Sequence, residues 1–136
     1  MKLNHTSKVK RKSGMTLLEL TVVILVLLSL ISILFIGARA WKKGSDRAAN
    51  IMNIRNVQQA VRGHENMRGL ATGAALPNAL IVGTGGYMKT PTAPNTDITY
   101  GTYADVVPAT GVLYLVPTYT VALEVYHPEA ASITEW

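Results

Sequence analysis

The chain opens with 14 residues that carry no apolar period, and then becomes almost continuously apolar from residue 15 to residue 40. Between Gly14 and Gly37 the run M-T-L-L-E-L-T-V-V-I-L-V-L-L-S-L-I-S-I-L-F-I holds a single charge, Glu19. About 20 apolar residues in a helix cross the hydrocarbon core of a bilayer, and lipid enforces helix because each backbone amide must be satisfied within the segment. Residues 15–40 are therefore read as a transmembrane helix. An ionisable group inside such a segment costs about 2.5–3.5 kcal/mol at the bilayer centre, less near an interface, and marks a function.

The pattern changes period after residue 40. Gly44-Ser45-Asp46 offers either a stop with a new N-cap or a weak point within one helix. From Ala48 to Met67, Ile51, Ile54, Val57 and Val61 form one apolar stripe, widened by Ala60 and Met67. Arg55, Gln58, Gln59, Arg62, Glu65 and Asn66 fall mostly away from it; Arg62 and Glu65 are spaced for an ion pair. Gly69 suits a helix terminator. An unbroken helix from 15 to 68 would be about 80 Å long, more than so small a domain can bury. From 69 to 97 the text turns to Gly, Ala, Thr, Pro and Asn, a long loop with one apolar patch at 79–82. Strands are expected at 98–103, 112–116 and 119–126, with a turn at Pro117-Thr118 and a close at His127-Pro128. The fold class that follows is α+β: a long N-terminal helix, membrane-spanning in its first half and amphipathic in its second, whose C-terminal half packs on a small antiparallel sheet. The divisions are 1–14, a basic leader; 15–40, the apolar half-helix; 41–68, the amphipathic half; and 69–136, loop and sheet.

Charge sharpens the first of these divisions. The net charge is +5, and Lys2, Lys8, Lys10, Arg11 and Lys12 account for all of it. Eight basic residues then face eight acidic ones over the rest of the chain. Nucleic-acid binding needs a basic face on the folded part, so no nucleic-acid partner is expected. A basic arm before an apolar run instead reads as membrane targeting. Arg39, Lys42, Lys43 and Arg47 follow the span, so basic residues differ little between its flanks and do not fix orientation by themselves.

Candidate chemistry is sparse. There is no cysteine, hence no disulfide, thiolate metal site or cysteine nucleophile. His5, His64 and His127 share no ligand spacing, and no nucleophile stands near them. Gly83-Thr84-Gly85-Gly86-Tyr87-Met88-Lys89-Thr90 lacks the glycine that a phosphate loop places before its lysine, and Pro91 blocks the helix start. Asp97 and Asp105 are too few for calcium. No catalytic, cofactor or metal site is assigned, and the chain is not expected to be an enzyme.

Lys10-Arg11-Lys12-Ser13-Gly14-Met15-Thr16-Leu17-Leu18-Glu19-Leu20 resembles the processing site of type IV pilins and type II secretion pseudopilins. The resemblance covers about the first half of the chain. It implies cleavage after Gly14 by prepilin peptidase, N-methylation of Met15, and Glu19 as the fifth mature residue, pairing with the Met15 amine of a neighbouring subunit. Glycine before the cut gives the protease an unhindered backbone, and a pair of costly buried charges penalises wrong registers. The implied partners are other pilin or pseudopilin subunits, the peptidase, an assembly platform with its ATPase, and the inner membrane. The implied location is a bacterial inner membrane with the N-terminus cytoplasmic and the head periplasmic, then a periplasmic or surface filament. Ile36 and Leu28 stand where many members have proline and glycine. The competing expectation is an ordinary signal peptide, since Ala38-Arg39-Ala40 fits an A-x-A cut before Trp41. Its apolar run exceeds the usual 7–15 residues, and a discarded signal has no evident use for Glu19.

Overall fold

A computed structural model describes Gly14 and residues 16–136. Its elements in order are helix α1 (Leu17–Arg68), a 3-10 turn (Asn78–Leu80), strands β1 (Ile98–Tyr103) and β2 (Leu115–Tyr119), a second 3-10 turn (Leu123–Val125) and a short helix α2 (Ala130–Ile133). Two compact units divide the chain, the described residues up to Ala38 and residues 39–136.

The first unit is the apolar part of α1. Every residue from 17 to 38 is exposed, including bulky side chains such as Leu25, Leu34 and Phe35 at 69, 71 and 65 %. The segment is long and apolar enough to cross a membrane. Thr21, Ser29 and Ser32 turn their hydroxyls back onto the carbonyls of Leu18, Val26 and Leu28 at 2.8 Å, so its few polar groups are satisfied within the helix.

The second unit is built on the rest of α1, which runs through Gly44-Ser45-Asp46 without a stop. Ile54, Val57 and Val61 are fully buried against Leu76, Ile81, Val107, Leu113, Tyr114 and Leu115. Ile51 is only half-buried and Met67 is 66 % exposed. The buried face instead includes Asn50, Gln58 and His64, which corrects the placement of Gln58 on the outer face. The Arg62–Glu65 pair forms at 2.8 Å. At the C-terminus Gly69 takes φ +63°, and the Leu70 amide donates to the Glu65 carbonyl at 3.1 Å. That is a Schellman cap, with Leu70 packed onto the core.

The sheet has two strands, fewer than the three expected. β1 occupies its expected residues. It pairs antiparallel with β2 from Ile98↔Tyr119 to Tyr103↔Leu115, with an irregularity between Tyr100 and Thr102. Gly101 is the extra residue there, and Pro117 stands opposite Tyr100. A proline has no N–H for the ladder and is tolerated at an edge beside a bulge, so Pro117 is inside a strand and not a turn. The expected strand at 112–116 accordingly shifts to Leu115–Tyr119. The expected strand at 119–126 does not form. After the Thr120 amide bonds to the Asp97 carbonyl, the Val125 and His127 amides close onto Ala122 and Leu123. Val121 and Leu123 remain 40 and 56 % exposed. Alternation makes a strand only where a partner edge takes up its amides and a face is buried, and neither is supplied here. The sheet therefore ends at Tyr119, ahead of His127-Pro128.

Candidate assembly site

The described part of the N-terminal end is held by two reciprocal bonds. Thr16 precedes the first helical residue and its carbonyl accepts from the Leu20 amide at 3.2 Å. The Glu19 amide donates to the Thr16 hydroxyl at 3.3 Å, and the Thr16 amide donates to Glu19 Oε2 at 3.2 Å. This is a capping box, in which a Ser or Thr N-cap and a Glu three residues on satisfy two otherwise orphaned amides. A carboxylate in the first helical turn is also favoured by the helix dipole.

Glu19 thus has a local use that any membrane helix could share, a signal peptide included, which corrects the expectation that a discarded signal has no use for it. The signal was present in the sequence, since T-L-L-E before an apolar run is the capping-box pattern. Capping leaves room for a second partner. A carboxylate has about four lone-pair positions, and the described bonds to Glu19 use one, on Oε2. Gly14 is exposed and outside any element. Met15 and the leader lie outside the described residues.

On the head, polar side chains of α1 tie down the strands. Gln58, 2 % exposed, donates to the Val112 carbonyl and accepts from the Tyr114 amide, each at 3.0 Å. It bonds residues 112–114 as a neighbouring strand would. Asn50 donates to the Tyr126 carbonyl at 2.9 Å and the Tyr119 hydroxyl at 3.1 Å, and accepts from the Tyr100 hydroxyl at 2.6 Å. His64 Nδ1 lies 3.0 Å from the Tyr87 hydroxyl. Burial raises the phenols of Tyr100, Tyr103, Tyr119 and Tyr126 above their ordinary value. Tyr114, fully buried and donating to the Leu76 carbonyl at 2.7 Å, is pushed up to about 12 by burial, with Asp105 and Tyr103 adding to it. Tyr100, Tyr114 and Tyr126 act as neutral donors, to Asn50, the Leu76 carbonyl and Asp97, whereas Tyr119 accepts from Asn50 and the buried Tyr103 hydroxyl has no partner among the described residues.

No family model, curated protein or solved structure matches the chain.

An open groove of about 1050 Å³ runs beside α1, lined among others by Arg55, Gln59, Arg62, Asn66 and Trp136. Its two cations are engaged: Arg55 lies 4.8 Å over the Trp136 ring, and Arg62 donates to Glu65 and to the carbonyls of Pro108 and Trp136. Among the described residues no group of three His, Asp or Glu side chains could hold a metal ion. The loop over 81–88 closes on itself through the Gly83 and Met88 amides. Gly86 allows the close passage there, because a Cβ would stand 2.6 Å from the Ile81 backbone.

Proposed function

We propose that the chain is a structural subunit of a type IV pilus-like or type II secretion pseudopilus filament. Prepilin peptidase would cut it between Gly14 and Met15 and methylate Met15. The subunit would wait in the inner membrane and then stack through its apolar half-helix, drawn out by an assembly platform and its ATPase.

The observation that carries the reading is the apolar run of α1, uncovered along its whole length and bearing one carboxylate at its start. Each exposed Leu, Ile, Val or Phe forgoes about 2 kcal/mol of burial, so the segment as a whole forgoes tens of kcal/mol in water. The carboxylate sets against this about 2.5–3.5 kcal/mol at the bilayer centre and less near an interface. Cover by lipid first and by copies of the same helix later meets that demand, and the Gly14-Met15 junction and Glu19 supply the processing and pairing chemistry the resemblance implies.

Mass spectrometry of the mature N-terminus tests it. N-methylated Met15 is the expected result. A terminus at Trp41 would overturn the proposal in favour of a small binding domain released after Ala40.

A further inference from the structure

Just beyond the apolar run, Arg39, Lys42 and Lys43 fall at i, i+3 and i+4 of α1 and therefore on one helical face. All three are exposed. The salt bridges among the described residues join Arg47 to Glu129 and Arg62 to Glu65, and none reaches these three. Trp41, between them in sequence, is 78 % exposed. The three cations line a cleft of about 240 Å³ together with Asp46, Asp97 and Tyr126.

The acids of that cleft are occupied by neutral donors. Asp46 accepts from the Asn95 amide group at 2.9 Å. Asp97 accepts from the Thr120 hydroxyl at 3.1 Å and the Tyr126 hydroxyl at 3.4 Å. Along α1 the order is apolar residues, then three cations, then Asp46, which lies one turn of helix beyond Lys42. A bilayer presents the same sequence of environments: hydrocarbon, then the phosphates, then water. Exposed tryptophan beside basic residues is the composition of a membrane interface. Lys and Arg reach such phosphates with their charged ends while their stems stay along apolar surface.

We propose that Arg39, Lys42 and Lys43 form a binding site for the headgroups of anionic phospholipids, with Trp41 set at the same level of the interface. The site rests on the membrane span of the proposed function and is independent of filament assembly. It would fix residues 39–43 at the phosphate level of an anionic bilayer.

The test uses the full chain in vesicles of phosphatidylcholine and phosphatidylglycerol in equal amounts, extracted into mild detergent and weighed by native mass spectrometry with its retained lipids. Each interfacial cation adds about fivefold in affinity for anionic lipid, so wild type is expected to retain phosphatidylglycerol over phosphatidylcholine, with these three cations contributing at most about a hundredfold to that ratio. Arg39→Gln/Lys42→Gln/Lys43→Gln lowers the ratio to what the basic residues before Gly14 contribute, while Arg39→Lys/Lys42→Arg/Lys43→Arg keeps the wild-type ratio. Wild type with no preference, or a glutamine variant that keeps the wild-type ratio, overturns the site. Alkaline extraction of the vesicles separates the two levels of failure. A wild-type chain stripped off the vesicles would remove the membrane span and this site with it, whereas an inserted chain without headgroup preference removes the site alone.

Discussion

Glu19 caps its own helix, the proposed function adds a pairing with a neighbour's amine, and one substitution divides the two. Glutamine serves at the third helical position of a capping box almost as well as glutamate, but it carries no charge for an amine. Glu19→Gln is expected to be cut and methylated normally, to keep its helical content in detergent, and to form no filaments by electron microscopy. Normal filaments from this variant would make capping the whole role of Glu19. At this scale the sequence was legible where residues speak in local motifs. T-L-L-E spelled the cap, Arg62 and Glu65 met as their spacing demanded, and Gly69 ended the helix. Asn50 and Gln58 were not legible, because an apolar-stripe reading sends polar side chains outward. Their burial depends on backbone groups about fifty or more residues away that they satisfy.

Among the elements, the second half of α1 acts on the head as a helix and also as a strand edge. Gln58→Ala removes the acceptor of the buried Tyr114 amide, and an orphaned buried donor costs about 1–3 kcal/mol. The variant should melt earlier in detergent by that amount, while Gln59→Ala, on the exposed side of the same turn, should stay within about 0.5 kcal/mol of wild type. Equal melting of the two would show that the Gln58 bonds contribute nothing net. The same coupling explains which strands could be read. β1 announced itself by local composition, whereas Leu115–Tyr119 and the failed strand after it depended on which segment would find an edge. Val112 and Leu113 lost that contest to a side-chain amide, and Pro117 entered the ladder because a bulge made room for it.

For the molecule as a whole, the tyrosine cluster sets a ceiling on pH. The buried phenols have folded-state values above their unfolded value of about 10. The neutral form is the one the fold favours, so this contribution is complete below pH ~10 and is lost as pH rises through the folded values, about 12 for Tyr114. Melting followed by circular dichroism should show a transition temperature insensitive to these phenols up to pH ~10 and falling steadily above it, in step with phenolate absorbance. A transition that held constant to pH ~12 would mean the phenols are free to ionise in the folded head. The broad architecture, a long apolar helix with a small antiparallel sheet, was legible because it follows from hydrophobic period and length. The details of the sheet were not, because they are decided by contacts far apart in the chain.

That distance has a kinetic consequence. Gln58 meets Val112 and Tyr114 across sequence separations of 54 and 56 residues, and contacts of this kind are reached only after a long loop has been closed. Winding the helix involves neighbours only and is far faster. The head is therefore expected to fold in a fixed order, helix before sheet. Its slow step is the arrival of residues 112–114 at a helix already waiting for them.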